Sequence, residues 1–397
     1  MQIQKILSKQ TLLCVTLSAL FLSSSANGNS DTFKHYQEQY KEYLKAQQQD
    51  FQDYKKQQQE AFEAYKKELQ KYWENPVLNS KKELVSYSKD KKSRSIINFD
   101  KNELTIQTIA ANEKEAQKKL ALSLAKAATY NTHDFYKTDE LEQKINKIEA
   151  KEKLKRAKVD AKPVLAPLFF KEKPTTKSLI KFVKKEVTTK KITVKASPKQ
   201  TDKKVYTLNI KLPKNATVKR SKIYYKDVKA QAKRELLPVS LIFAIMHSES
   251  SFNPMARSYV PAYGLMQIVP KTAGIDAYYY LYRQKRLVGS SYLYNAQNNI
   301  KMGSAYLHIL YYSYLKDIKD PQSRLYCTIA AYNTGAGNVS RAFVDSYNTH
   351  KAAEVINRLT ADEVYAKLLQ DLRYEEPKKY LKNVTKRMKM YQKIYES

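Results

Sequence analysis

"AIMHSESSFNP" runs from Ala244 to Pro254 and follows directly on Leu241-Ile242-Phe243. An apolar run therefore leads straight into a glutamate. At helical spacing Ile242, Ile245, Met246 and Glu249 share one face. Glu249 then closes an apolar stripe and does not sit on a solvated face. A carboxyl group there loses hydration, and its neutral form is favoured. A carboxylic acid protonated near neutral pH is what breaking a glycosidic bond requires. The plainer reading is a glutamate at a helix end facing water.

The surroundings of this stretch are helical. "YYKDVKAQAKREL", "NIKMGSAYLHILYYSYLKDI", "SRLYCTIAAYN", "KAAEVINRL" and "ADEVYAKLLQDL" all carry helical patterns. Thr360 and Glu363 make a capping-box signal for the last of them. Residues 220–397 thus read as an all-helical domain. Residues 77–215 read as a smaller α+β domain. There Ile96–Phe99 and Leu104–Ile109 form a hairpin with Asp100-Lys101-Asn102 as its turn, and "NEKEAQKKLALSLAKAATY" forms a helix. "KKITVKA" and "VYTLNIKLP" are further extended segments.

Residues 30–74 are rich in Gln, Lys, Glu and Tyr, without Gly or Pro. Aromatics recur there as Tyr40/Tyr43, Phe51/Tyr54 and Phe62/Tyr65, a step of eleven residues. That step is three turns at about 3.67 residues each, so one long helix with an aromatic stripe is predicted. Pro76 is expected to stop it. The stripe suits a self-associating or partner-binding coiled coil; a solvated spacer is the alternative.

At the N-terminus Lys5 and Lys9 precede an apolar stretch that ends in Ser24-Ser25-Ala26. Residues 1–26 read as a signal peptide cleaved after Ala26, which directs the chain to the periplasm. Cys14 sits inside the apolar run behind the bulky Leu13, so it does not look like a lipidation site. Cys327 is then the one remaining cysteine, and an intramolecular disulfide is excluded. The net charge of +33 favours an anionic partner: nucleic acid, a membrane surface or an acidic wall polymer. Export disfavours nucleic acid. No His, Cys or carboxylate spacing suggests a metal, and no glycine loop suggests a phosphate cofactor.

Four motifs recur in order. Glu249-Ser250-Ser251-Phe252-Asn253-Pro254 is followed by Gly264-Leu265-Met266-Gln267, by Ala331-Tyr332-Asn333-Thr334-Gly335, and by Glu376 through Tyr380 to Val384. This series resembles the lytic transglycosylase family of lysozyme-like folds, over about residues 220–395. With the hairpin region ahead of it, the chain looks like the membrane-bound lytic murein transglycosylase C group. That group is lipid-anchored, whereas this chain lacks a convincing anchor site. Pro377 and Lys378 also depart from the usual residues before the late tyrosine.

The resemblance implies an α+β multidomain chain with a lysozyme-like C-terminal domain. It implies cleavage of the β-1,4 bond between N-acetylmuramic acid and N-acetylglucosamine in peptidoglycan, without water, to a 1,6-anhydro product. Glu249 would be acid and then base. Ser250, Met266, Gln267, Tyr332, Asn333 and Tyr380 would orient the site or line its cleft. Gly264 would allow close backbone approach, and His247 would pack. Asp276, Asp317 and Asp320 also lie in this domain, but none sits in a motif block. Two other functions stay open: a goose-type lysozyme that uses water, and a non-catalytic peptidoglycan-binding scaffold. Location at the outer membrane or the wall is a further expectation.

Overall fold

The computed structural model describes residues 52–151, 154–259 and 261–396. The signal-peptide reading and most of the eleven-residue repeat lie outside these residues. What is described of the repeat is a helix, α1, over residues 52–69. It ends seven residues before Pro76, so the proline is not its stop. Its inner face carries Tyr65 and Leu69, both buried, beside Phe62. They pack on Leu141 and Ile145 of a later helix. In these turns the stripe is used within the chain and is not left for a partner.

Five strands follow the order β1-β2-β3-β5-β4, and every neighbouring pair is antiparallel. They are β1 (Glu83–Tyr87), β2 (Ser93–Asn98), β3 (Glu103–Ala110), β4 (Ile192–Ala196) and β5 (Lys204–Lys211). The predicted hairpin is present as β2 and β3, with Ile97 opposite Leu104. Alternate residues Leu104, Ile106, Leu208 and Ile210 are buried on one face. Against them lies helix α2 (Glu113–Thr129), which buries Leu120 and Leu124. On the other face Arg94 Nε donates to Gln107 Oε1 (2.8 Å), and Gln107 Nε2 donates to Thr207 Oγ1 (3.0 Å). The sequence is thus alternately apolar and polar because only one face meets a helix. Helices α3 (Glu140–Lys151) and α4 (Thr176–Thr189) complete this half and were not singled out by pattern.

The second half is helical: α5 (Ala216–Ile223), α6 (Tyr225–Glu235), α7 (Val239–Ser250), α8 (Ala273–Tyr282) and α9 (Ala296–Ile309). After them come α10 (Pro321–Thr334), α11 (Ala336–Val344), α12 (Thr349–Ile356), α13 (Ala361–Asp371) and α14 (Glu375–Tyr395). The Thr360–Glu363 capping box forms as read. The pattern across "NIKMGSAYLHILYYSYLKDI" is not one α-helix: α9 gives way to a π-helical turn at Leu310–Tyr314. Pro377 is accommodated in the first turn of α14, where no intrahelical N–H is lost.

α7 is the axis of this half. It is not striped, as its sequence suggested, but enclosed: Ser240 through Met246 are all buried. α14 lies along it, with the Phe243 and Tyr395 rings stacked at 4.5 Å. Each such enclosed apolar side chain contributes about 1.5–3 kcal/mol of transfer free energy. The chain from Lys55 onward is one compact unit, and one continuous core joins sheet and helices. Buried Arg220 is a joint between them, donating to the Phe99 carbonyl (2.8 Å) and to Asn102 Oδ1 (2.9 Å).

Candidate active site

α7 ends abruptly after Glu249. Ser251 and Phe252 both adopt left-handed backbone (φ 49° and 64°), unusual for residues that are not glycine. Asn253 secures the turn, with its Oδ1 accepting from the Met255 N–H (3.1 Å) and its Nδ2 reaching the Ser80 carbonyl (3.3 Å). The Ser-Phe-Asn-Pro part of the motif is therefore a sharp helix exit. It leaves Glu249 in the last turn, only 6% exposed.

Burial raises the Glu249 carboxyl above its ordinary range. Lys81, the Tyr380 hydroxyl and Lys82 oppose that shift, and Glu376 adds to it. The net direction is up, so burial wins. Tyr380 stands on α14, and its buried hydroxyl has no well-directed hydrogen bond among the described residues. It is still close enough to Glu249 to stabilise the carboxylate form. Tyr332, at the end of α10, also feels the Glu249 charge, and its hydroxyl donates to the Met266 carbonyl (2.9 Å).

The Gly-Leu-Met-Gln segment is a tight loop under the site. Gly264 has φ +74°, and a Cβ there would lie 2.9 Å from Asn299 Cγ and closer still to the Leu293 carbonyl. Only glycine fits. Ser250 Oγ donates to the Leu265 carbonyl (2.8 Å) and so ties the loop to α7. Met266 is fully buried, seated against Gly303 of α9. Its side chain is core rather than cleft lining, because α9 offers it a glycine notch; its carbonyl is what it contributes. Gln267 is 7% exposed, also left-handed (φ 50°), and its Nε2 is engaged by the Ala256 and Gly264 carbonyls (3.1 and 3.0 Å). Its buried Oε1 has no partner among the described residues. Asn333 is half-buried with no side-chain partner among them. Those two groups and the Tyr380 hydroxyl are thus unpartnered polar groups among the described residues.

Three aspartates outside the motifs have separate duties. Asp276 accepts from the Tyr314 hydroxyl (3.0 Å), Asp317 pairs with His350 (3.2 Å), and Asp320 caps α10 through the Ser323 N–H (2.7 Å). Glu376 is the carboxylate near Glu249, but its side chain is largely exposed and lies 4.0 Å from Lys81. His247 packs against Phe252 and bonds the Tyr391 hydroxyl (3.1 Å); burial drops its pKa to about 3. Among the described residues no group of three His, Cys, Asp or Glu side chains is placed to hold a metal.

Three contributors escaped the sequence reading. Asn299 of α9 accepts from the Met266 N–H and donates to the Tyr263 and Leu293 carbonyls, each at 2.8 Å. An asparagine inside an otherwise apolar helix face was its signal. Lys81 and Lys82 come from the sheet half and carried no signal in so Lys-rich a chain.

Comparison with known proteins bears on this arrangement. The Transglycosylase SLT domain matches residues 227–355, and the Membrane-bound lytic murein transglycosylase C, N-terminal domain matches residues 37–166. Membrane-bound lytic murein transglycosylase C of Cronobacter sakazakii is 32% identical over 318 residues, 79% of this chain and 82% of the relative. The chain belongs to the membrane-bound lytic murein transglycosylase C family. It is thus an enzyme of the lytic murein transglycosylase class, with a lysozyme-like helical region and a small α+β region. The Klebsiella pneumoniae member is 31% identical over 80% of this chain and 84% of its own length. The Haemophilus ducreyi member is 40% identical, over 48% of this chain and 52% of its own. Among solved structures, lytic transglycosylase Slt of Pseudomonas aeruginosa, as an inactive mutant, aligns with 45% of this chain and 27% of its own. Its TM-score is 0.34 at 26% identity, a likeness too slight to decide anything.

Proposed function

We propose that the chain cleaves the β-1,4 bond between N-acetylmuramic acid and N-acetylglucosamine in peptidoglycan without water, leaving 1,6-anhydro-muramic acid ends. The carrying observation is Glu249: one enclosed carboxyl, biased to its protonated form, with a tyrosine hydroxyl beside it. Neutral Glu249 gives its proton to the glycosidic oxygen as the bond to C1 breaks. The 2-acetamido oxygen of the muramic acid stabilises the developing cation at C1. The carboxylate, steadied by Tyr380, then takes the proton of the C6 hydroxyl. C6 oxygen closes on C1, and Glu249 is returned protonated. Gln267, Asn333 and Tyr332 hold the sugars. Asp276, Asp317 and Asp320 being engaged elsewhere supports a one-carboxyl route, since two-carboxylate glycosidases need a partner across the bond.

Release of soluble muropeptides from purified peptidoglycan tests the role of Glu249. The parent should release them and Glu249→Gln should not. An active Glu249→Gln variant, or an inactive parent that still pellets with the wall, refutes the reading; the second outcome indicates a binding scaffold. The relatives' printed name, membrane-bound, and the signal-like N-terminus support work at the cell envelope in wall turnover. Among the described residues no helix is long and apolar enough to cross a membrane.

A further inference from the structure

The end of α7 is held by a residue from the other half of the chain. Lys82, immediately before β1, donates its Nζ to the His247 carbonyl (3.0 Å), the Ser248 carbonyl (2.8 Å) and Ser251 Oγ (3.1 Å). These acceptors bracket Glu249 on both sides. The last carbonyls of a helix have no intrahelical donor, and a cation there is favoured by the helix dipole. Ser251 Oγ in turn donates to Asp100 Oδ1 (2.9 Å), at the β2–β3 turn. On the opposite side Arg387 of α14 donates to Ser248 Oγ (2.9 Å). A surface lysine gripping a helix end for stability alone would be unremarkable in so basic a chain. This one grips the turn that carries the catalytic acid, and its charge reaches the carboxyl.

We propose that Lys82 is a positioning residue for Glu249: by fixing the last turn of α7 it lets the sheet half complete the active site of the helical half. The inference rests on Glu249 being the acid and base. Burial lowers Lys82 to about 8, while Asp100 and Glu249 support its charge and Arg387 and Lys81 oppose it. The groups facing Glu249 are Lys81 and Lys82 from the approach to β1, Tyr380 and Glu376 from α14, and Tyr332 from α10. Lys82 depresses the Glu249 pKa, so loss of its charge moves that pKa up. The group that must stay protonated to start the reaction sets the basic limb of kcat/KM. That limb should therefore move to higher pH. Lys82 contacts no sugar in this account, so KM should hold while kcat falls.

The test uses the full chain on soluble, uncross-linked glycan strands. Lys82→Met, Lys82→Gln, Glu249→Gln and parent are compared, each shown folded by thermal melt. Lys82→Met should lower kcat roughly ten- to a hundredfold, with KM within about twofold, and shift the basic limb upward. Lys82→Gln keeps amide donors and loses the charge, so it should regain part of kcat and keep the shifted limb. Folded Lys82 variants with the parent's kcat and limb would overturn the proposal. Should Lys82→Met not fold, an unmoved limb in Lys82→Gln overturns it alone. Activity in Glu249→Gln defeats the acid reading itself; an inactive Glu249→Gln beside unaltered Lys82 variants defeats only the positioning role.

Discussion

Asn299→Ala should unfasten the loop beneath the site. Asn299 is fully buried and makes three side-chain hydrogen bonds of 2.8 Å. Truncation leaves the Met266 N–H without that acceptor. The Leu293 carbonyl loses its side-chain donor, whereas the Tyr263 carbonyl keeps the Ile268 N–H at 3.2 Å. An orphaned buried N–H costs about 1–3 kcal/mol, and each weakened carbonyl about 1 kcal/mol. The sum is roughly 3–5 kcal/mol, or about 4–7 °C in Tm for a unit of this size. Asn299→Asp sharpens the test. One oxygen still accepts from Met266, but the other replaces a donor and faces two carbonyls. Ionised, it should be at least as damaging as alanine; protonated, it can donate again, so its deficit should shrink as pH falls. Thermal and urea melts at pH 7 and pH 5 read both effects. An Asn299→Ala variant within about 1 kcal/mol of the parent, or an Asn299→Asp variant equal to it at pH 7, would refute the reasoning.

Three further outcomes follow from the same contacts. Tyr380→Phe removes a group that stabilises the Glu249 carboxylate, so the basic limb of kcat/KM should move to higher pH with the fold retained; pH–rate profiles check this. His247 is held neutral in the fold, with its pKa lowered from 6.5 to about 3. The unfolded chain binds that proton first, so stability is complete above 6.5 and falls as pH drops towards 3. The slope is at most about 1.4 kcal/mol per pH unit from this site, and urea melts should show it reduced in His247→Gln. Cys327 is buried with its thiol pKa pushed up, so iodoacetamide should leave it unmodified in the folded protein and label it in denaturant, as intact mass will show.

Much of this was legible in the sequence. The hairpin at 93–110, the capping box at Thr360 and the helical run from Tyr225 are local: each follows from alternation, spacing or a cap within a few residues. The motif blocks also lie together in the fold, the Leu265, Met266, Tyr332 and Tyr380 segments meeting at the end of α7. What they did not give is how each side chain is engaged. Met266 turned out to be core because Gly303, far along the chain on α9, leaves a notch for it, and Gln267 spends its amide nitrogen on its own loop. α7 looked one-sided because periodicity cannot show that α6 and α14 close around it. Lys82 was illegible for the same reason in stronger form. It lies 165 residues from the carbonyl it holds, and no local pattern separates it from the other lysines.

The central claim is that the glycosidic bond is broken without water, with Glu249 as acid and base. Digestion of purified peptidoglycan in water enriched in oxygen-18, followed by mass spectrometry of the released muropeptides, tests it most directly. The account predicts anhydro ends that carry no solvent oxygen, and no products from Glu249→Gln. Reducing ends labelled with oxygen-18 would contradict it and make the chain a hydrolase.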